Sequence, residues 1–296
     1  MRFSAIVSLA VALSALAALN VSAQTQPPAA AATWSRFARA NEVQLRDFAG
    51  YVRVYPEART DIAVSVANSG PLSAPVFRMA GSRLIVDGGL RRQIRSCHVL
   101  SEGGFVVSTN RQGSVAGARL PVVSIRVPRA AVVMAGGAVR LHMADSDNAR
   151  VRFEGCGDAD IERVAHSADI ALNGSGDVRL YEAERATVAV AGSGDVTLGV
   201  ARQGLTASLA GSGDLTASRV DGPTNISVQG SGNVLIRDGR ATVVSIAIAG
   251  SGDVTHGGEA QRLDAVILGS GDVRVHQVNG PVSRRVFGSG EVIIGR

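Results

Sequence analysis

GSGDVTL at residues 192–198 decides the fold, because close copies of it recur down the second half of the 296-residue chain. The first glycine of each copy falls at Gly155, Gly174, Gly192, Gly211, Gly230, Gly250, Gly269 and Gly288, with spacings of 19, 18, 19, 19, 20, 19 and 19. A worn copy, Ala135-Gly136-Gly137-Ala138, precedes the series at a spacing of 20. A period this regular identifies a solenoid, in which each unit contacts only its neighbours.

Within each unit, the residue two places before the next glycine is apolar throughout: Phe153, Leu172, Val190, Leu209, Val228, Ile248, Ile267 and Val286. Two places further back stand Val151, Ile170, Val188, Ala207, Ile226, Ile246 and Ala265, with Arg284 as the exception. This spacing of two is the signature of a strand with one buried face. A shorter strand follows each corner, as in Val178 and Leu180, Val196 and Leu198, Val234 and Ile236, and Val273 and Val275. Two strands per unit predict an all-β chain of stacked coils, about 19 residues each, with two facing parallel sheets. Coils stack about 4.8 Å apart, and no unit buries enough to fold alone. The six-residue links, such as YEAERA and VARQGL, vary in sequence as loops do.

A chain reversing between close sheets needs positive φ or close backbone approach, and glycine supplies both. The corners also carry Asp158, Asp177, Asp195, Asp214, Asn233, Asp253, Asp272 and Glu291, one per coil. Like charges about 4.8 Å apart repel by roughly 1 kcal/mol even in water. Either each carboxylate caps its own turn, as Asp and Asn do in Asx-turns, or a cation offsets the charge. Calcium-binding repeats recur about every nine residues, and an uncharged Asn233 suits a hard cation poorly. The corners therefore read as structural turns, with no metal and no cofactor expected.

MRFSAIVSLAVALSALAALNVSA, residues 1–23, has an early Arg, an apolar run and a small-residue ending, and reads as a secretory signal peptide. Residues 24–40 read as a flexible leading segment, rich in Pro and Ala at its start. No later run is long enough for a membrane-spanning helix. The expected location is the periplasm, the outer membrane surface or the exterior. In such a compartment Cys97 and Cys156 could pair, or Cys156 could simply replace Ser in one corner. All 30 basic residues are Arg, so lysine chemistry is excluded. Residues 24–134 hold 14 Arg against 6 Asp and Glu, net +8, whereas residues 135–296 hold 15 against 19, net −4. The basic half either faces an anionic envelope polymer or glycan, or is an ordinary solvated surface.

Residues 41–134 read as a divergent beginning of the solenoid, with Val52 and Val54, then Ile62, Val64 and Val66, as strand positions; a separate small β-domain at 34–120 is the alternative. Residues 95–120 read as a long excursion or an irregular coil. Residues 135–296 form the regular repeat.

The GSGDV corners and the xATVxVxGSG-like strands resemble the head GIN domain family of auto-transporter adhesins, over roughly residues 41–294. The resemblance implies a right-handed parallel β-helix, a role in adhesion, and no catalytic residues to carry over. No membrane barrel follows the repeats in this sequence, so self-transport is not expected.

Parallel β-helices also host polysaccharide lyases and hydrolases, which need clustered carboxylates at one special place. Here the carboxylates repeat evenly, and Tyr181 is the only Tyr or Trp after residue 134. His142 and His256 lie about six coils apart, too far to share an ion; His256 and His276, in adjacent coils, read as loop residues. The basic half lacks interleaved aromatics, so nucleic acid is not an expected partner. The reading is an exported, non-enzymatic adhesin or envelope-binding module whose partner is an envelope or host-surface component. A carbohydrate-active enzyme is the alternative. Residues 292–296 end midway through a coil, which suggests end-to-end self-association.

Overall fold

The computed structural model describes residues 33–68, 70–100 and 104–295, so the signal-peptide reading and most of the 24–40 segment lie outside the described residues. Strands in the first half are β1 (Ser35–Phe37), β2 (Glu42–Glu57), β3 (Ile62–Ala67), β4 (Val76–Ala80), β5 (Arg83–Asp87), β6 (Ile94–Val99), β7 (Phe105–Thr109), β8 (Gly113–Ala116), β9 (Val122–Pro128) and β10 (Ala130–Met143). The repeat begins with two long winding strands, β11 (Asn148–Gly174) and β12 (Asp177–Gly192). It continues as β13 (Val196–Ala201), β14 (Leu205–Gly211), β15 (Leu215–Val220), β16 (Thr224–Gly230), β17 (Val234–Asp238), β18 (Arg240–Ala241) and β19 (Val244–Gly250). It closes with β20 (Val254–Ala260), β21 (Leu263–Gly269), β22 (Val273–Val278), β23 (Val282–Gly288) and β24 (Val292–Ile294).

The alternating apolar positions become two stacks of parallel strands. One joins β13, β15, β17, β20, β22 and β24, so that Val196, Leu215, Val234, Val254, Val273 and Val292 stand in one column. The other joins the end of β12 to β14, β16, β19, β21 and β23, with Val190, Leu209, Val228, Ile248, Ile267 and Val286 in register. Inward residues of both stacks share one continuous core. About nine turns, spaced about 19 residues apart, make the β-solenoid.

The links do more than connect. Glu182-Ala183, Val200-Ala201 and Arg219-Val220 pair in parallel, as do Arg240-Ala241, Glu259-Ala260 and Gln277-Val278. Their Ala183, Ala201, Val220, Ala241 and Ala260 are buried, so a third, short row of pairs closes each coil. Small inward residues let this row lie close to the other two.

In the first half, β2 belongs to both stacks: Leu45 pairs with Val86 and with Ala135, and Val52 pairs with Val123 and with Leu141. Val52 and Val54 thus hold the parallel places read from the sequence. Ile62, Val64 and Val66 do not, because β3 runs antiparallel to β9, and β1 antiparallel to β3. The reversal follows a tight turn in which the Arg59 N–H donates to the Glu57 carbonyl and the Arg59 side chain bonds Asp61. On the other stack β4 lies antiparallel on β5. Residues 95–120 make an excursion from the coils and not an irregular coil: β6, β7 and β8 among the described residues form their own antiparallel sheet.

The corners explain the glycines. Gly211 has φ +130°, and a Cβ there would lie 2.3 Å from the Gly192 carbonyl oxygen of the preceding coil. That oxygen accepts the Ser212 and Gly213 N–H groups at 3.0 and 3.1 Å. Gly213 has no positive φ, yet its Cβ would meet the Gly194 oxygen at 2.2 Å. The first glycine of a corner thus needs both its dihedral freedom and its bare Cα; from Gly176 onward the second needs only the latter, whereas Gly157 in the Cys156 corner has φ +106°. At the far end, every residue of β23 is exposed, which is why Arg284 can stand in an otherwise apolar column.

Gly211→Ala is expected to lower stability by about 2–4 kcal/mol through backbone strain and forced separation of coils, whereas Ser212→Ala, at an exposed position, changes it by about 0.5 kcal/mol or less. Urea unfolding followed by circular dichroism measures both.

Candidate functional site

The corner carboxylates are spent on the stack itself. Asp177 Oδ1 accepts the Asp195 N–H at 3.1 Å, Asp195 that of Asp214 at 2.9 Å, and Asp214 that of Asn233 at 2.7 Å. Asn233 Oδ1 does the same for Asp253 at 2.9 Å, Asp253 for Asp272 at 2.8 Å, and Asp272 for Glu291 at 3.0 Å. Each side chain therefore caps the next coil, rather than its own turn as an Asx-turn would. The requirement is an acceptor oxygen in a fixed place, so Asn233 serves as well as Asp. Its Nδ2 also donates to Asp214 at 3.1 Å.

Asp158 stands apart. Burial raises its carboxyl above the usual range, and the facing Arg140 guanidinium opposes the shift. Arg140 bonds both Asp158 and Asp160, the latter at 2.9 Å, and Arg179 reaches Asp160 at 3.1 Å. Asp158, Asp160 and Arg179 line, with Asp177 and Asp195, a hollow of about 170 Å³. Among the described residues, no three His, Cys, Asp or Glu side chains are placed to share a metal ion.

The sheet of β6 to β8 forms a flap over the first corners. Phe105, Val107 and Val115 on its inner face pack with Ala49, Leu72, Leu90, Leu120 and Ala138 in a small core separate from the main one. Tyr51 meets Phe105 edge-on at 6.0 Å between ring centres. Cys156 replaces the corner Ser and is joined to Cys97 of β6, with Cα atoms 6.1 Å apart. Beside this bond runs an open groove of about 600 Å³ between Ile94 and Arg95 on the flap and the bare Gly and Ser of successive corners.

His256 is no loop residue. It pairs with Ile236 and Val275, in the inward column that also holds Leu180 and Leu198, and is fully buried. Neither ring nitrogen has a hydrogen-bond partner, and burial holds its pKa below the ordinary value. His276, next to Val275, is exposed, so the two imidazoles face opposite ways. The alignment of GSGDVTH with GSGDVTL carried this signal.

The repeat and its corners agree with one known family. Its description is "Putative auto-transporter adhesin, head GIN domain", and it matches residues 92–219 and 181–281, together more than half of the chain. The chain belongs to this family. No curated protein matches the sequence. Among solved structures, an adhesin so designated from Parabacteroides distasonis is similar in fold, with a TM-score of 0.50 at 14% identity, covering 88% of this chain and 96% of that one. A second, from Bacteroides fragilis, has a TM-score of 0.44 at 17% identity, covering 90% and 98%. A structure from Parabacteroides distasonis described as a "Putative lipid binding protein" has a TM-score of 0.48 at 17% identity, covering 89% and 96%. In this head GIN domain the regular coils are an uninterrupted scaffold, and the disulfide-tied flap is the part that departs from the repeat.

The Cys97–Cys156 bond closes a loop of 59 residues. On the loop-entropy relation its removal costs about 4 kcal/mol. Cys97→Ser with Cys156→Ser is expected to speed amide exchange in residues 94–116 far more than in residues 196–275, read by mass spectrometry; equal acceleration everywhere would refute a local role. His256→Leu fills the column without unpaired nitrogens and is expected to stabilise by about 1–3 kcal/mol. Because the folded pKa is depressed, the unfolded chain takes up the proton first as pH falls below about 6.5. Wild-type stability should therefore fall from that pH towards the lower folded pKa, and the gap to His256→Leu should widen, in melts at successive pH values.

Proposed function

We propose that the protein is an exported, non-enzymatic adhesion module that presents a rigid β-solenoid to an envelope or host surface. The observation that carries this reading is the engagement of the corner carboxylates. Asp177, Asp195, Asp214, Asp253 and Asp272 each accept a backbone N–H from the next coil. Asp158 and Asp160 are held by Arg140 and Arg179. A glycosidase or lyase needs a carboxylate or base free to exchange a proton with substrate. These groups are committed to holding coils together, so the regular face supports contact and not turnover. The adhesin family of the chain supports the same reading, and the apolar leader of residues 1–23 supports export.

The test immobilises the purified chain and offers it bacterial envelope fractions and host-surface extracts, with release of glycan products measured in the same samples. Retention well above that of a heat-denatured control, with no products, is expected. Product release without retention would overturn the reading in favour of a carbohydrate-active enzyme.

A further inference from the structure

Half of the net positive charge of the first half lies on the flap and the turns that flank it. Residues 88–120 hold Arg91, Arg92, Arg95, Arg111 and Arg119 against Glu102 alone. All five arginines are exposed. The ion pairs formed by residues 33–134 involve Arg36, Arg46, Arg59, Arg83, Arg126 and Arg129, none of them on the flap. Among the described residues, then, the flap guanidiniums form no ion pair, and Arg91 alone shares a separate hollow with carboxylates, those of Asp47 and Asp87. Arg95 is instead steered by a neutral group: its Nε donates to the Asn110 side chain, whose Nδ2 donates to the Arg92 carbonyl at 3.2 Å.

Arg95 and Ile94 wall the 600 Å³ groove, and its floor is Gly155, Gly174, Ser175 and Ser193. The floor residues belong to successive coils, so the groove runs along the stack with a step of about 4.8 Å. Glycines leave the backbone accessible there, and serines add hydroxyls that both donate and accept. The Cys97–Cys156 bond fixes wall against floor.

We infer that this groove binds an acidic polysaccharide, with sugar hydroxyls on the Gly and Ser floor and carboxylates towards Arg95 in its wall and the neighbouring Arg92, whose carbonyl shares Asn110 with it. This names the partner class for the surface-contact reading above and rests on it. Unpaired guanidiniums beside an uncharged floor are complementary to an extended polyanion. Ile94 is the one large apolar side chain in the lining that a bilayer could take up, and no aromatic ring lines the groove to stack a nucleic-acid base.

The probe is polygalacturonate, titrated into the full chain at low ionic strength, with neutral dextran and phosphatidylglycerol vesicles in parallel. Wild type is expected to bind polygalacturonate and neither of the others. About 0.5 M salt, which shortens the screening length to a few Å, should weaken binding about tenfold or more. The double variant Arg92→Gln, Arg95→Gln should also weaken it about tenfold or more, with an unchanged melting temperature, while Arg237→Gln with Arg285→Gln changes it less than about twofold. The pair Cys97→Ser, Cys156→Ser should weaken binding without touching a charge. Failure of wild type to bind the polymer, equal binding by the double variant, equal binding of dextran, or capture by vesicles instead would overturn the proposal. Retention on envelope fractions measured on the same preparations separates the cases: retention without polymer binding sinks the groove ligand alone, and loss of retention sinks the surface-contact reading.

Discussion

Successive coils touch through bare backbone at one corner, and the rest of the molecule follows from that contact. The Gly192 carbonyl takes two N–H groups from the coil above, in the space a Cβ on Gly211 would fill. The same approach recurs from Gly155 on Gly137 to Gly288 on Gly269. Where backbones come this close, the next residue's N–H points at the coil below, and an acceptor there completes the corner. Asp and Asn supply it. The aliphatic columns then line up because the corners do, and stability accumulates by stacking and not within any one coil.

The periodic features were legible in the sequence. Inward columns, corner glycines and the period itself follow from side-chain alternation, which needs no knowledge of distant contacts. Three features were not legible in that way. The third row of pairs at Ala183, Ala201 and Val220 is only two residues wide and made of small side chains, too short for a period to show. Whether Ile62 to Val66 runs parallel or antiparallel depends on its partner β9, sixty residues on, and a strand pattern reads the same in both directions. The partner of each corner carboxylate lies a full coil away, so reasoning from local turns placed the bond in the wrong loop.

The two clearest departures from the repeat have different causes. His256 is a misfit inside the stack, a polar ring buried in an apolar column with no partner for its nitrogens. Cys156 is a substitution in a corner that recruits something new. Its bond to Cys97 attaches a small sheet with its own apolar core over the first coils, so that a uniform scaffold gains one distinct end. Five arginines against one glutamate lie on it and its flanking turns, whereas residues 135–296 carry a net acidic charge.

Hydrogen exchange at single-amide resolution tests the stacked-corner claim most directly, at Asp195, Asp214, Asn233, Asp253 and Asp272. If each N–H is held by the side chain of the preceding coil, these five exposed or half-exposed corner amides exchange slowly, as slowly as the strands beside them. Exchange at the rate of a free loop, with the neighbouring strands still protected, would contradict the account.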